Sequence, residues 1–509
     1  MLSLPLHGVE SIVLEAEDGT LTGVSISSEV AGYSGSGYVK GFRSDADKVS
    51  WEFSASQGFY ELVVGYRTPS GEKGFGGSLN GVGLTGHFPA NDTFSEFKVG
   101  RVYLPEGLNQ LEIGGGWNWY EIDYASFTPM DAPSLPMPVD TPLVNSNATL
   151  RTVHLMDYLK SEYGKITLSG QYDESEVTII QNVTGLLPAI FNEDLINYSP
   201  SRILHGSNPA GLTESVIQMG QAGYILSLSW HWNAPTHLTN TAENPWWSGF
   251  YTRATTFDIE QTLANPESEE YQLLISDMDT IAVELKKLQA ADLPVLWRPL
   301  HESEGGWFWW GAKGPEPFKE LWRLLYDRYT NYHELDNLIW VLTSEDPDWY
   351  PGDDVVDIVG VDAYPEDRAD PLVSKWEAVL ERFDGRKLIA LTEFGGVPDI
   401  QAMQFLGVWW SFFTSWTGDL GPGSMSNEEL QRIYTATEVL TFDELPHWIT
   451  APNWAGFDVD PTGWAQTENF LGWVHVAQDP YIYSDDLNGW IYVPSNPVSD
   501  SGAWVYIFR

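Results

Sequence analysis

The chain has 509 residues and is strongly acidic: 71 Asp and Glu residues outnumber 26 Lys and Arg residues, for a formal net charge of −45. Such a charge would repel the phosphate backbone of nucleic acid, which excludes nucleic acid as a partner. A hydrophobic content of 43% excludes a disordered chain, and the length indicates two or three domains.

The 24 Trp residues are more than a folded core requires. Aromatic rings stack on sugars, bases and cations, and the negative charge favours a neutral ligand such as a polysaccharide. The absence of cysteine excludes disulfides and thiolate chemistry. No run of 18 apolar residues is present, so the sequence predicts no membrane span.

Residues 1–7 lack the basic start and the long apolar segment of a signal peptide. They are typical of a mature end with an added Met. We therefore expect a secreted, extracellular and monomeric protein, with the signal peptide absent from this sequence.

Residues 1–129 hold short alternating segments separated by Gly, Asn and Ser, which predicts an all-β sandwich. Glu15 and Glu17 lie on one face of the first strand because side chains alternate with period two, and Asp123 lies on the last strand. Three carboxylates that converge suit Ca²⁺, which prefers oxygen ligands. Solvated edge charges are the alternative, and the spacing alone leaves both interpretations open.

This region resembles carbohydrate-binding module family 35. The resemblance rests on Glu15-Ala16-Glu17, on Gly-Tyr-Ser-Gly-Ser-Gly-Tyr-Val at residues 32–39, and on Gly-Trp-Asn-Trp-Tyr-Glu-Ile-Asp-Tyr at residues 116–124. It implies a jelly-roll sandwich with a structural Ca²⁺ held partly by Glu15, Glu17 and Asp123. It also implies a sugar site in the end loops around Trp119, with Trp117 and Tyr33 as further candidates; one of the two tryptophans is expected in the core.

Residues 130–147 are rich in Pro and predict a stiff, extended linker. Over residues 148–448, apolar segments alternate with helical patterns of 3.6-residue period, which predicts a central (β/α)8 TIM barrel with its chemistry at the strand C-termini. The predicted strands lie at residues 165–170, 186–191, 224–230, 294–300, 337–342, 355–361, 387–391 and 405–413.

The fourth predicted strand ends in Trp297-Arg298-Pro299-Leu300-His301-Glu302, with Trp307 and further aromatic residues behind it, and the seventh ends at Glu393. In a retaining glycosidase one carboxyl group protonates the leaving oxygen and the other attacks the anomeric carbon, about 5–5.5 Å apart. Aromatic neighbours would raise the pKa of Glu302, and donors such as Tyr364 would keep Glu393 ionised. Salt-bridged structural glutamates are the alternative, which two such residues among so many tryptophans disfavour.

The barrel resembles glycoside hydrolase family 26. The matching residues are the segment 297–302 with Trp307, Ser-Trp-His-Trp at residues 229–232, Val-Asp-Ala-Tyr at 361–364 and Leu-Thr-Glu-Phe-Gly at 391–395. His301 before the acid marks this family, since most of its clan has Asn there.

The resemblance implies Glu302 as acid/base and Glu393 as nucleophile, with a hydrogen bond from Tyr364 to Glu393. It implies that His301 contacts the sugar 2-hydroxyl or orients the nucleophile. The remaining candidates for substrate contact are His231, Trp307 and Trp416 in the central subsite, and Trp246 and Trp247 as glycone-side platforms or a hydrophobic anchor. No cofactor is expected for catalysis.

These residues predict an endo-β-1,4-mannanase that hydrolyses mannan, galactomannan or glucomannan with retention, targeted to mannan by the N-terminal module. A β-1,3-1,4-glucanase or β-1,3-xylanase with the same machinery is the alternative, and so is a non-catalytic polysaccharide-binding protein. Residues 449–509 repeat short aromatic segments that begin at Gly472, Gly489 and Ala503. They predict a small β-meander, either an attachment or sorting module or a packed cap.

Overall fold

The computed structural model describes residues 11–368, 370–446, 453–454, 457–459, 464–467, 471–478, 481–492 and 506–508. In chain order they form an all-β sandwich, a closed eight-stranded barrel with helices, and a small antiparallel sheet. The predicted fold class is confirmed. Among the described helices, none combines the length and the apolar character needed to cross a bilayer. The predicted domain limits (1–129, 130–147, 148–448 and 449–509) stay predictions.

The sandwich packs two antiparallel sheets face to face. One sheet has the order β3-β4-β11-β6-β9 with β1 also paired to β11, and the other has the order β2-β5-β10-β7-β8. Along β5, Val49, Trp51, Phe53 and Ala55 are buried in alternation with more exposed residues, as one covered face requires. The strands are β1 Ile12–Glu15, β2 Thr20–Thr22, β3 Ser25–Ser27, β4 Tyr38–Lys40, β5 Lys48–Ala55, β6 Gly58–Thr68, β7 Lys73–Leu79, β8 Val82–Phe88, β9 Asn91–Leu104, β10 Gly107–Gly114 and β11 Glu121–Met130.

The Pro-rich segment after β11 has no regular structure as far as residue 143 and lies along the barrel. The backbone N–H of Met137 donates to Asp384, and the N–H of Val144 donates to Asp357. Val139 is buried against the barrel core. The segment is therefore attached to the barrel surface, and its predicted stiff, extended character stays a prediction.

The barrel closes in the order β13-β14-β15-β16-β17-β18-β19-β20, with all neighbours parallel. Its strands are β13 Gly170–Tyr172, β14 Ile190–Asp194, β15 Ile225–Trp230, β16 Val295–Pro299, β17 Leu338–Thr343, β18 Ile358–Ala363, β19 Leu388–Phe394 and β20 Phe413–Ser415. Two short strands, β12 Thr167–Leu168 and β21 Val439–Leu440, pair outside it. The helices are α1 Leu150–Glu162, α2 Glu174–Thr184, α3 Pro200–Ile203, α4 Leu212–Ala222, α5 Ile259–Leu263, α6 Glu269–Ala290, α7 Pro315–Asp327, α8 Val373–Phe383, α9 Ile400–Phe405 and α10 Asn427–Tyr434.

The first and last predicted barrel strands were placed too early. The predicted segment 165–170 contains β12, and the barrel strand β13 begins only at Gly170. The predicted segment 405–413 begins at the last residue of α9 and reaches β20 only at Phe413. Both segments contain buried apolar residues outside the barrel strands, such as Leu168 and Val408. An apolar run indicates burial, but it does not indicate which strand the residues form.

The C-terminal residues form a five-stranded meander in the order β24-β25-β26-β27-β28, preceded by the β22-β23 pair. The strands are β22 Asn453–Trp454, β23 Phe457–Asp458, β24 Trp464–Gln466, β25 Trp473–Gln478, β26 Tyr481–Ser484, β27 Gly489–Tyr492 and β28 Tyr506–Phe508. Two of the predicted repeats coincide with β25 and β27; the start of the third, at Ala503, lies outside the described residues. Attachment module or cap stays an open prediction.

Candidate active site

Glu302 and Glu393 meet at the C-terminal end of the barrel. One carboxylate oxygen from each of Glu302, Asp362 and Glu393 lies within 4.8 Å of the others. Glu393 belongs to β19, whereas Glu302 follows β16 by three residues in a left-handed turn, with φ of 52° at Leu300 and 53° at Glu302. Positive φ is unfavourable for residues with side chains, and such conformations concentrate at functional sites.

Three donors surround the Glu393 carboxylate, which is 2% exposed. Arg298 forms a short ion pair with Oε1, Tyr172 donates to Oε1 at 3.3 Å, and Tyr364 donates to Oε2 at 2.5 Å. Arg298 also binds Asp362 at 2.9 Å. Burial raises the pKa of Tyr172 and of Tyr364, so both remain neutral donors. The expected hydrogen bond from Tyr364 is present.

The electrostatic surroundings of Glu302 differ from those of Glu393. Burial and then the charge of Glu393 raise the pKa of Glu302, against a smaller opposing effect of the Trp307 hydrogen bond. That bond runs from Trp307 Nε1–H to Glu302 Oε2 at 2.9 Å. Glu302 therefore retains its proton to higher pH than an ordinary glutamate.

The same cluster is the one group of acidic or His side chains among the described residues with metal-ligand spacing. Arg298 already lies between Asp362 and Glu393 and supplies the positive charge there. Burial raises the pKa of Asp362 well above its usual range, and Arg298 only partly opposes this effect. Two of the three carboxylates, those of Asp362 and Glu393, are thus paired with the Arg298 guanidinium.

His231 and His301 form a buried relay with Asp194. Asp194 accepts a short hydrogen bond from His231 Nδ1, and His231 Nε2 lies 3.0 Å from His301 Nε2. Burial lowers the pKa of His231, but the Asp194 carboxylate outweighs it and the pKa is raised. Burial and the charge of Arg298 hold the pKa of His301 well below its usual range. Charged His231 consequently donates to neutral His301, whose own proton then resides on Nδ1.

Aromatic residues border the open side of the cluster. Trp307 is 49% exposed and Tyr364 is 38% exposed, while Trp416 packs edge-on against Tyr172 at 4.8 Å. Trp309 and Trp310, which the sequence placed beside Glu302, are buried in the core. They support the site indirectly: Trp310 Nε1–H donates to the His301 carbonyl.

Trp246 and Trp247 lie in a short 3-10 helix in the insertion after β15, and their environments differ. Trp246 is half-buried and stacks on His205 at 5.5 Å. Trp247 is 54% exposed, and its carbonyl accepts a hydrogen bond from Arg202. Trp246 thus anchors the insertion, and Trp247 presents a free ring face.

No site role was predicted from the sequence for four residues of this cluster: Arg298, Tyr172, Asp194 and Asp362. An Arg inside an apolar strand was a usable signal, since a buried Arg requires carboxylate partners. Tyr172 and Asp194 are the last residues of β13 and β14. Their direction becomes evident only when the barrel is closed.

Glu15, Glu17 and Asp123 gather around one loop of the sandwich. Asp123 accepts from the N–H of Ser34 at 3.0 Å, and Glu15 accepts from the Ser34 hydroxyl at 2.5 Å. Glu17 Oε1 accepts from the N–H of Gly37, while its buried Oε2 has no hydrogen-bond partner among the described residues. Burial, with the charges of Glu15 and Glu17, raises the pKa of Asp123 to about 6. The oxygens of these three carboxylates do not have metal-ligand spacing, which among the described residues only Glu302, Asp362 and Glu393 show, so the Ca²⁺ site stays a prediction.

Trp117 and Trp119 are both 58% exposed, so the expectation that one of them lies in the core is wrong. Asn118 and Trp119 have φ of 59° and 62°, and this turn directs both rings outward. Arg43 lies over the Trp119 ring, and Trp117 packs on His87. Tyr33 is half-buried and packs on Tyr38.

Comparisons with known proteins agree with this geometry. The model of the carbohydrate binding module (family 35) matches residues 12–130, and that of glycosyl hydrolase family 26 matches residues 144–444. A mannan endo-1,4-beta-mannosidase of Thermothelomyces thermophilus is 42% identical over 85% of this chain and 90% of its own length.

Solved structures give the same result. A GH26-CBM35 beta-(1,4)-mannanase of Podospora anserina is 43% identical, with a TM-score of 0.63 over 86% of this chain and 99% of that one. A beta-mannanase from a symbiotic protist of the termite Reticulitermes speratus, complexed with gluco-manno-oligosaccharide, is 30% identical with a TM-score of 0.55 over 61% of this chain and 99% of that one. By these matches and by its barrel, the chain belongs to glycosyl hydrolase family 26.

Proposed function

We propose that this protein is an endo-β-1,4-mannanase that hydrolyses mannan, galactomannan and glucomannan with retention of anomeric configuration. Glu302 is the acid/base and Glu393 is the nucleophile. The observation that carries the proposal is the pair of strand-end carboxylates, with oxygens within 4.8 Å and opposite electrostatic surroundings. Inverting glycosidases hold their carboxyl groups about 6.5–9.5 Å apart, which leaves room for a water that this pair does not accommodate.

The first step breaks the glycosidic bond. Trp307 occupies Oε2 of Glu302, so the proton resides on Oε1 and passes to the leaving oxygen. A Glu393 oxygen attacks the anomeric carbon, and a covalent glycosyl ester forms as the C–O bond to the leaving sugar breaks. Arg298, Tyr172 and Tyr364 bind both oxygens of Glu393 and orient it before the substrate arrives.

In the second step Glu302, now a carboxylate, accepts a proton from water. The hydroxide oxygen bonds to the anomeric carbon from the face that the leaving sugar vacated, and Glu393 departs as a carboxylate. Two inversions give net retention. No cofactor enters either step.

His231, His301, Trp307, Tyr364 and Trp416 form the central subsite, and Trp246 and Trp247 belong to the glycone side. His301 is 1% exposed, its Nε2 is engaged by His231, and its buried Nδ1 has no hydrogen-bond partner among the described residues, so it supports the subsite through His231. Among the residues described, no hydrogen bond joins His301 to Glu393, and both predicted roles, contact with the sugar 2-hydroxyl and orientation of the nucleophile, stay predictions. Exposed Trp247 supplies the stacking face, and Trp246 holds it in place.

The substrate assignment rests on the relatives, whose names specify mannan, and a parallel assay tests it. We expect reducing sugar from mannan, galactomannan and glucomannan, and proton NMR should show β-anomers as the first products. Release from lichenan or β-1,3-xylan with none from mannan would replace the assignment by the glucanase or xylanase alternative. Release from no glycan would favour a non-catalytic binding protein.

The sandwich is the second functional part of the proposal. It binds β-mannan through Trp119, with Trp117 and Tyr33 as further contacts. A structural Ca²⁺ held by Glu15, Glu17 and Asp123 fixes the loop at residues 34–37. The protein is secreted and acts as a monomer, consistent with an insoluble polymeric substrate.

Chelation tests the Ca²⁺ site. Treatment with EDTA should lower the first unfolding transition in calorimetry by several degrees, since an ion that binds only the folded state stabilises it. Addition of Ca²⁺ should restore the transition in the parent, whereas the Asp123→Asn variant should respond weakly. A parent protein that melts identically with and without EDTA, after exhaustive dialysis, would contradict the site.

A further inference from the structure

The β-sandwich contacts the loop that follows barrel strand β18. Thr85 on β8 donates its hydroxyl to Asp370 at 2.5 Å, and Asp370 is 6% exposed. Two residues earlier on the same strand, Gly83 lies so close to Asp367 that a Cβ there would be 2.1 Å from the carboxylate. The sandwich thus holds two aspartates of one barrel loop.

That loop, residues 364–368 and 370–372, begins with Tyr364 and ends at helix α8. Asp370 accepts from the N–H of Leu372 at 2.8 Å, and Leu372 enters α8 with φ of 53°. The strained entry therefore depends on a carboxylate that Thr85 also binds. At the other end, Tyr364 donates to Glu393 at 2.5 Å. The sandwich contact at Asp370 is six positions along the chain from Tyr364, which touches the proposed nucleophile.

A second set of contacts keeps the sandwich in register with α8. Gly100 on β9 packs against Val373, where a Cβ would be 3.0 Å from the Val373 side chain. Lys98 pairs with Glu377 of α8 at 3.0 Å, and Arg101 donates to the Leu406 carbonyl at 3.0 Å. The sandwich therefore contacts the barrel both at the two aspartates of the loop and at α8 and Leu406. These contacts hold it in one position beside the loop.

Arg368 connects the middle of the loop to the end of β19. It donates to the Pro365 carbonyl at 2.6 Å, and its guanidinium borders Gly395, two residues after Glu393. A Cβ on Gly395 would be 2.5 Å from Arg368 and 2.9 Å from the Tyr364 ring. The close packing means that a shift of the loop at Asp370 reaches Tyr364 and β19.

We infer that the sandwich is a positioning part of the active site, which holds Tyr364 against Glu393 through Thr85, Gly83 and the two aspartates. This inference rests on the proposed function. It gives the sandwich a role in turnover on short, soluble substrates, for which attachment to an insoluble polymer is irrelevant. Thr85 is accordingly a positioning residue that acts through Asp370.

The test uses the full chain with mannohexaose. Thr85→Val removes the hydroxyl and should lower kcat about threefold to tenfold, the effect of one lost hydrogen bond, with KM little changed. Thr85→Ser retains the hydroxyl and should restore kcat. Thr22→Val is the matched control, because Thr22 is exposed on β2 at the opposite edge of the same sheet. Equal kcat for Thr85→Val and Thr22→Val would overturn the inference.

A second variant covers the case in which Thr85→Val unfolds. Gly83→Ala leaves both hydrogen-bond partners in place and displaces Asp367, and it should also lower kcat. Hydrogen exchange of the Tyr364 loop should be faster in both variants than in Thr22→Val, and equal exchange would also overturn the inference. Exchange does not require turnover, so a parent that fails to cleave mannohexaose would contradict the proposed function alone.

Discussion

The barrel cleft and the end loops of the sandwich both carry carboxylates and aromatic rings, but they arrange them in opposite ways. In the cleft, Glu393 is 2% exposed and every donor around it is directed at its oxygens. In the sandwich, Trp117 and Trp119 are 58% exposed, and the carboxylates face inward to a loop. Bond cleavage requires desolvated charges fixed in advance, whereas holding a polymer requires an accessible ring face.

The largest effect should come from the nucleophile. Glu393→Ala should lower kcat on soluble mannan by about 10⁴-fold or more, because the variant lacks the carboxylate that forms the glycosyl ester. Binding to insoluble mannan should be retained, and azide should restore turnover of an activated mannoside. Glu316→Ala, on the exposed start of α7, is the control. Near-normal kcat in Glu393→Ala would show that Glu393 is not the nucleophile. The cleft would then no longer differ from the sandwich by holding a catalytic carboxylate.

Asp194→Asn should have the next largest effect, roughly a tenfold loss of kcat/KM, the scale of a misoriented polar contact. Without the carboxylate, burial lowers the pKa of His231, so His231 is neutral at pH 7. The loss should accordingly be smaller at pH 5 than at pH 8, which the rate profile measures. Asp157→Asn, an exposed change on α1, should not alter the profile. A parallel loss at all pH values would indicate a purely structural role.

Trp119→Ala tests the proposed sugar site of the sandwich. Removal of this ring should weaken binding to insoluble mannan about tenfold, the energy of one stacked aromatic face, and leave kcat on mannohexaose unchanged. Leu108→Ala, which is 70% exposed on β10, controls for loss of apolar surface. Sedimentation with the insoluble polymer measures both. If Trp119→Ala binds like Leu108→Ala, the sugar site lies elsewhere on the module.

The smallest predicted change is a shift of the pH profile. Trp307→Phe keeps an aromatic ring but removes the N–H that donates to Glu302, and this hydrogen bond lowers the pKa of that carboxyl. Activity falls as pH rises through the pKa of the acid, so the alkaline limb of kcat/KM should move upward in the variant. A downward shift would mean that Trp307 supports the protonated form.

Periodicity and motifs predicted the three-part fold, but not the ends of its elements. Barrel strands β15 to β19 lie within a few residues of their predicted positions. The first and last strands were misplaced, since residues 167–168, 407–408 and 410–412 are buried without belonging to the barrel strands. An apolar run in the sequence indicates that residues are buried. It does not indicate whether they are buried within a barrel strand or outside it.

The sequence by itself determined which residues carry the chemistry: Glu302 and Glu393 end two strands that a parallel barrel must bring to one rim. Tertiary structure decided which groups tune them. Arg298, Tyr172 and Asp194 acquire their partners only when strands far apart in the chain close into a ring, and the Thr85–Asp370 bond joins residues of different domains. Strand periodicity fixes the face of a side chain, but its neighbours depend on register and domain packing, which no local pattern encodes.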